Sequence, residues 1–204
     1  MKSHLKRFIL LMPLFIALLV FLTGCWKIYS VVITPDGKRI VFASGKNDKA
    51  ELYIVDINGS NLKQLTRNEE YEFPVSISPD GIKLLFLKGK KKKSKICTMN
   101  LDGSNETTLI APDNFIAPIT FSPDGRKILF TMGEKTVTGE RLSRREIFAI
   151  YTMDVDGSNI KKMSSGKQNQ GEIPLCYSPD GKSILFLRVV SSTLYEICIM
   201  DIEG

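Results

Sequence analysis

The sequence predicts an all-β fold: a β-propeller of four blades, each a four-stranded antiparallel meander, with the last blade lacking its outer strand. The tetrapeptide Thr34-Pro35-Asp36-Gly37 recurs as Ser-Pro-Asp-Gly at 78–81, 122–125 and 178–181, at spacings of 44, 44 and 56 residues. A second signature, Asn-Gly-Ser-Asn at 58–61, recurs in step as Asp-Gly-Ser-Asn at 102–105 and 156–159 and ends as Glu203-Gly204. A fixed period of about 20 to 50 residues is typical of solenoids and propellers.

The second repeat illustrates the four strands. Residues 74–78 form a short apolar strand that ends in Ser-Pro-Asp-Gly, whose residue types suit a type I turn. Residues 83–87 and 96–101 follow as the second and third strands, and an Asp-Gly pair, a strong hairpin signal, turns the chain into 107–111. The second strands carry consecutive apolar residues and are therefore expected to be covered on both faces. We expect their phenylalanines at equivalent buried sites between blades: Phe42, Phe86, Phe130 and Phe186.

The combined pattern resembles a known repeat. Ser-Pro-Asp-Gly-Lys-x-Ile-x-Phe is followed by Ile-Tyr-x-Met-Asp-x-Asp-Gly-Ser-Asn, as at 150–159, and by a Leu-Thr ending such as Leu65-Thr66. This is similar to the repeat of TolB-type β-propellers and covers nearly all of residues 26–204. The resemblance implies a periplasmic or surface protein that binds other proteins through one propeller face. Because propellers host many activities, the motif is specific for fold and weak for function.

The N-terminus has the layout of an export signal. Lys2, Lys6 and Arg7 precede a 15-residue apolar stretch at 8–22, and the Leu-Thr-Gly-Cys25 ending resembles a bacterial lipobox. We predict a lipoprotein signal peptide at 1–24, lipidation of Cys25, and a membrane-anchored propeller domain at 25–204 on the periplasmic or extracellular side of the cell envelope. The alternative is an uncleaved anchor, for which the apolar core is short. Removing residues 1–24 takes away three positive charges and lowers the formal charge from +6 to +3.

The predicted domain holds four repeats, at about 26–69, 70–113, 114–169 and 170–204. Besides Cys25 it contains Cys97, Cys176 and Cys198. Alignment of the repeats places these three on strands too far apart for a disulfide. We therefore expect three buried free thiols.

Few residues suit catalysis. His4 is the only histidine and lies in the predicted signal, which excludes Ser-His or Cys-His catalysis in the mature domain. The recurring Asp36, Asp80, Asp124 and Asp180 occupy turns, where aspartate is a structural choice. Asp154-x-Asp156-Gly157 lacks the third acidic position and the distant glutamate of a calcium loop. The sequence thus predicts no catalytic site, metal or cofactor.

The repeats differ mainly at one rim. In a meander, the first and third turns share one rim, whereas the second turn and the blade crossover share the other, here called the crossover rim. Insertions collected on one face often mark a binding face. The crossover at 69–73, here called the aromatic crossover, contains Tyr71 and Phe73. The alternative to a binding role is that it folds onto the propeller mouth. The partner-binding candidates are Lys88, Lys90, Lys91, Lys92, Lys93, Lys95, Arg141, Arg144, Arg145, Tyr71, Phe73 and Phe115.

Two function classes remain. The first is a lipid-anchored, non-catalytic protein-binding or scaffold module whose partner is an envelope protein or an anionic membrane surface. The second is a ligand-binding or carboxylate-dependent enzyme domain that uses the axial pocket, and three or more carboxylates around the axis would favour it. Nucleic acid is disfavoured as a partner because export removes it.

The end of the sequence raises a further question. The chain reaches Gly204 inside the fourth Asp-Gly-type turn, so residues 193–201 are left as an apolar edge strand. Natural proteins normally cover such an edge. Either the chain is a fragment of a propeller with more blades, or a strand from a partner or a second copy completes the edge.

Overall fold

The computed structural model describes residues 27–46, 49–68, 70–89, 93–112, 116–136, 145–164, 171–191 and 193–202. Within these ranges the chain forms fifteen strands in four antiparallel sheets and contains no helix. It follows that no helix in this part of the chain is long and apolar enough to cross a membrane. The predicted all-β propeller architecture is confirmed.

Each sheet is one blade. Blade 1 contains β1 (Lys27–Ile33), β2 (Arg39–Lys46), β3 (Lys49–Asp56) and β4 (Lys63–Gln64). Blade 2 contains β5 (Glu72–Ile77), β6 (Lys83–Lys88), β7 (Lys95–Asn100) and β8 (Thr107–Ile110). Blade 3 contains β9 (Ile116–Phe121), β10 (Lys127–Thr136), β11 (Arg145–Asp154) and β12 (Lys161–Lys162). In blade 4 the described residues form three strands: β13 (Glu172–Tyr177), β14 (Ser183–Val189) and β15 (Tyr195–Asp201).

The Ser-Pro-Asp-Gly tetrapeptide closes the first turn of each blade. In blade 2, the Gly81 N–H donates to the Ser78 carbonyl at 2.8 Å, and Gly81 has a φ of +71°, which favours glycine. Asp80 Oδ1 accepts the Ser78 hydroxyl at 2.5 Å and the Ile82 N–H at 2.9 Å. The hydroxyl oxygen of Ser78 accepts the Lys83 N–H at 2.8 Å. These contacts hold the aspartate in the turn, in the structural role expected from the sequence.

The Asp-Gly-Ser-Asn signature closes the third turn. In blade 3, the Gly157 N–H donates to the Asp154 carbonyl at 2.9 Å, and the Ser158 hydroxyl donates to Asp156 Oδ1 at 2.6 Å. The Asn159 side-chain amide donates to Asp154 Oδ2 at 2.6 Å, from a left-handed backbone with a φ of +53°. The predicted hairpin is confirmed, and these contacts bind its carboxylates within the turn.

Three hydrophobic clusters lie between successive blades. We call the face of a blade that packs on the preceding blade its leading face, and the opposite one its trailing face. Phe86, Phe130 and Phe186 are 0%, 0% and 3% exposed, and each lies on a leading face. Phe42 is 7% exposed and stacks on Tyr53 at 5.5 Å. All four pair with the same position of the third strand. The predicted sites between blades are confirmed for Phe86, Phe130 and Phe186, whereas Phe42 is buried against Tyr53 of its own blade and belongs to none of the three clusters.

The cysteines follow the expectation in part. Cys97, Cys176 and Cys198 are free thiols, as predicted. Cys97 is buried, but Cys176 is exposed and Cys198 half-buried, so the expectation of three buried thiols was wrong. Both exceptions lie in blade 4. Cys176 pairs with Leu185 on the trailing face of that blade, where no further described blade packs.

Candidate binding rim

The strand register brings the start of the inner strands beside the second hairpin of each blade. In blade 1, Lys27 lies opposite Gly45, next to the hairpin between β2 and β3. In blade 2, Glu72 pairs with Lys88, which pairs in turn with Lys95. Strand β10 also ends at this rim, and β11 begins there. The candidate residues that the structure describes therefore share one rim.

Several predicted site residues lie outside the described residues. For Arg145 only the backbone position, at the start of β11, is described. These assignments stay predictions. The predicted site residues that lie outside the described ranges are Cys25, Lys90, Lys91, Lys92, Phe115, Arg141 and Arg144.

Lys88 lies within a group of carboxylates. Its side chain is 14% exposed, and its Nζ donates to Glu106 Oε1 at 2.6 Å. Glu72 Oε1 and Glu70 Oε2 lie 3.3 and 3.7 Å from the same nitrogen. Burial alone would lower the pKa of Lys88, but the hydrogen bond to Glu106 and the charge of Glu72 outweigh it and raise the pKa. The ammonium of Lys88 is thus bound by carboxylates of the protein itself, whereas Lys93 is exposed to solvent.

Glu72 is the most deeply placed acid of this rim, with 0% exposure. Its Oε1 accepts the Asn68 side-chain amide at 2.7 Å, while the Asn68 backbone N–H donates to Glu51 Oε1, also at 2.7 Å. The remaining buried oxygens, Oε2 of Glu51 and of Glu72, have no hydrogen-bond partner. Burial raises the pKa of Glu72, although hydrogen bonds from Thr66 and Asn68 and the charge of Lys88 oppose it. Burial prevails, and the charge of neighbouring Glu51 also raises the pKa of Glu72.

The aromatic crossover packs against blade 1. The Tyr71 ring meets Tyr29 edge-on, with centroids 5.3 Å apart, and stacks on Phe73 at 6.4 Å. The Tyr71 carbonyl accepts the Gly89 N–H at 2.9 Å, which ties the crossover to the hairpin after β6. Tyr71 and Phe73 are half-buried. This part of the rim is therefore packed onto the propeller, in line with the alternative interpretation of the aromatic crossover.

Sequence reasoning missed a second ion pair at the equivalent place in blade 4. Arg188 Nε and Nη2 both donate to Glu172 Oε1 at 3.2 Å, and Glu172 is 4% exposed. The guanidinium also lies over the Phe186 ring, 5.5 Å from its centroid. The sequence did contain a signal, a Glu-x-Pro triplet at 72–74 and again at 172–174. In each of these repeats the second strand then ends with a basic residue, Lys88 or Arg188, opposite the glutamate. Blades 2 and 4 thus carry the same acid–base pair.

Successive inner strands lie side by side. Between blades 1 and 2, the Ser30 hydroxyl donates to the Pro74 carbonyl at 3.0 Å. Within the described ranges, no group of three or more His, Cys, Asp or Glu side chains is placed to hold a metal.

Repeated four-stranded blades, tetrapeptide turns and interblade phenylalanines define a β-propeller of the TolB type. The sequence profile of the TolB beta propeller domain matches residues 29–143, and the chain belongs to that family. No curated protein matches the chain.

Solved structures support the same fold. A TolB-type protein of Agrobacterium tumefaciens superposes with a TM-score of 0.67 at 23% identity, over 86% of this chain and 61% of that chain. TolB of Acinetobacter baumannii gives a TM-score of 0.65 at 24% identity, over 87% of this chain and 42% of that chain. A prolyl endopeptidase gives 0.65 at 13% identity, over 88% and 27%. The chain thus spans less than two thirds of the length of these structures, and at these identities the likeness concerns the fold alone.

Proposed function

We propose that this chain is an exported, lipid-anchored β-propeller that acts as a non-catalytic protein-binding or scaffold module at the cell envelope. Membership of the TolB propeller family supports a binding role. The observation that carries the proposal is the register of β1, which starts with Lys27 at the crossover rim. Cys25 precedes Lys27 by two residues, which extend by at most about 7 Å. A lipid on Cys25 would therefore hold the crossover rim against the membrane.

The chemistry of this rim suits anionic headgroups. Exposed Lys93 and half-exposed Lys95 lie on it, and the predicted basic loop at 90–92 belongs to the same hairpin. Each lysine or arginine near an anionic surface contributes about 1 kcal/mol, and Trp26 is suited to the interface. Lys88, bound to Glu106 and Glu72, holds the rim together.

The alternative is a ligand-binding or carboxylate-dependent enzyme domain. The unpartnered oxygens of Glu51 and Glu72 are its strongest support. Against it, Asn68 donates a hydrogen bond to each of the two carboxylates. The turn aspartates are bound to their own turns, as Asp80 is to Ser78. A binding module accounts for these contacts without a reacting group.

Vesicle binding tests the membrane-facing rim. Replacing Lys90, Lys91, Lys92 and Lys93 by Gln should weaken binding of the lipidated protein to anionic vesicles at low salt, because four charges leave the rim. The matched control removes four exposed charges from the opposite rim, with Lys38, Arg126, Lys161 and Lys182 changed to Gln. This control should bind as the unchanged protein does. Equal binding by both variants would reject the orientation.

Cys25→Ser tests the anchor separately. We expect this variant to lack the diacylglycerol mass that the unchanged protein carries at residue 25. The absence of any such mass on the unchanged protein would show that Cys25 is not lipidated, whatever the orientation of the rim.

A further inference from the structure

The second hairpin of blade 4 is the apolar exception at the crossover rim. In blade 4, the last residue pair before this hairpin is Val189 and Tyr195. The sequence carries no charged residue from 189 to 195. In the other blades the corresponding pair contains at least one basic residue: Lys46 and Lys49 in blade 1, Lys88 and Lys95 in blade 2, and Thr136 and Arg145 in blade 3.

Leu194 is the exposed apolar side chain of this hairpin. It is 53% exposed, and Val190, on the other side of the turn, is half-buried. Tyr195 and Ile197 alternate with Glu196 in β15 and lie on the trailing face of the blade. Leu194 precedes that strand and lies in the turn that closes the hairpin. Its exposed surface therefore belongs to the crossover rim, whatever packs on the trailing face.

The backbone of the hairpin is closed by its own hydrogen bonds. The Leu194 carbonyl accepts the N–H groups of Val190 and Ser191, at 3.0 and 3.2 Å. Ser191 Oγ accepts the N–H groups of Thr193 and Leu194, at 3.3 and 3.1 Å. Because hydrocarbon offers no hydrogen-bond partner, backbone enters it at low cost only where it is bonded internally. The N–H groups of these four residues meet that requirement.

The strand register places the hairpin level with the predicted anchor. Strand β1 begins with Lys27 at the crossover rim, and Cys25 precedes it by two residues, at most about 7 Å. In blade 4, Glu196 pairs with Arg188. Leu194 precedes Glu196 by two residues, and at about 3.3 Å per residue it extends about 7 Å past this pair. A lipid on Cys25 would therefore bring Leu194 to the membrane surface.

The charges nearest to Leu194 are paired within the protein. Arg188 Nη2 donates to Glu172 Oε1 at 3.2 Å, and Arg188 Nη1 lies 4.0 Å from Glu196 Oε2. These three residues lie at the base of the hairpin. Insertion of Leu194 to the depth of about 7 Å leaves them at the level of the headgroups, where charge is tolerated.

We propose that the second hairpin of blade 4 inserts Leu194 and Val190 into the boundary between the headgroups and the acyl chains of the membrane. This insertion rests on the proposed function, because the lipid anchor is what brings the crossover rim to the membrane. The two hairpins divide the contact. The basic hairpin of blade 2 binds anionic headgroups, whereas the hairpin of blade 4 contacts the acyl chains of any lipid. Interfacial protein segments typically lie about 5 to 10 Å deep, which matches the reach of Leu194.

Tryptophan quenching on vesicles tests the insertion. Trp26 is the only tryptophan, so the lipidated full chain with Trp26→Phe is a silent background. Leu194→Trp then reports on the hairpin. Ile82→Trp is the matched control, because Ile82 is 56% exposed and follows the first turn of blade 2, at the opposite rim. The vesicles are phosphatidylcholine, with or without bromine atoms on the upper part of the acyl chains, and bromine quenches tryptophan only at close range.

Bromine should lower the emission of Leu194→Trp at least about twofold and leave that of Ile82→Trp unchanged. If the protein sediments with the vesicles and neither tryptophan is quenched, the insertion is wrong while the anchor stands. Quenching of Ile82→Trp alone would overturn both the insertion and the orientation of the rim. Protein that bound no vesicles would overturn the anchor, and the insertion with it.

A charged hairpin gives a second test. With Thr193→Trp as the reporter, Leu194→Asp should remove at least about half of the quenching, because a carboxylate is expelled from the acyl region. Ile82→Asp, at a similarly exposed position of the opposite rim, should leave the quenching unchanged. Denaturant unfolding checks that both variants keep the stability of the background protein. Equal quenching in the Leu194→Asp and Ile82→Asp proteins would contradict insertion of Leu194.

Discussion

Blades 2 and 4 share the Ser-Pro-Asp-Gly turn, an interblade phenylalanine at the same position and a rim ion pair between a glutamate and a basic residue, yet they differ in what covers them. Ile96 in blade 2 is 0% exposed, whereas Ile197 in blade 4 is 75% exposed. The local sequence alone therefore specifies an equivalent blade. The stability of that blade, and which of its side chains are exposed, depend on the segments that pack against it. A blade with an open trailing face retains its strand pairing and leaves apolar surface available for binding.

The largest expected difference concerns that surface. Ile96→Ala should lower the free energy of unfolding by about 2 to 5 kcal/mol, because it leaves a cavity between blades 2 and 3. Ile197→Ala should change it by no more than about 0.5 kcal/mol, because the side chain is already in water. Denaturant unfolding of both variants measures the contrast. Similar losses would mean that the trailing face of blade 4 is covered in solution.

A smaller difference is expected at two glycines of the crossover rim. Gly89, in the blade 2 hairpin, has a φ of +114°, and an added Cβ would lie 2.6 Å from the Lys93 carbonyl oxygen. Gly89→Ala should therefore cost about 1 to 3 kcal/mol. Gly171, before β13, would place a Cβ at an ordinary 3.5 Å from Phe148, so Gly171→Ala serves as the control. Thermal unfolding compares the two, and equal midpoints would contradict the strained hairpin.

The smallest effect concerns pH. Since burial raises the pKa of Glu72 in the folded protein, the ionised side chain disfavours folding above that pKa. As pH falls through the raised pKa towards the unfolded value, the folded state takes up the proton first, and this cost disappears. The unchanged protein should therefore gain stability relative to Glu72→Gln over this interval. If the free energies of unfolding of the two proteins changed with pH in parallel, Lys88 would be keeping Glu72 ionised without loss of folding stability.

The rim ion pairs show why part of the site was not predictable. The basic hairpin was visible in the sequence as a run of lysines, but the engagement of Lys88 by Glu72 and Glu106 depends on the pairing of β5 with β6 and on the position of the chain before β8. Asn68 gave no signal in the sequence, although it joins Glu51 to Glu72 across two blades. The Glu-x-Pro triplets at 72–74 and 172–174 were the one readable sign, and aligning the repeats over the acidic positions would have revealed them.

By itself the sequence determined the repeat, the turns and the pairing of consecutive strands within each blade, because these depend on residues close together in the chain. Ser78, Asp80 and Gly81 form their turn through contacts within five residues, so their pattern is sufficient to predict it. Only the tertiary structure decided which surfaces are covered. Leu52 and Ile197 are both apolar residues in third strands, but an outer strand bonds Leu52 and none of the described residues adds a strand beyond Ile197. Burial is a property of packing between distant segments, which a local pattern cannot specify.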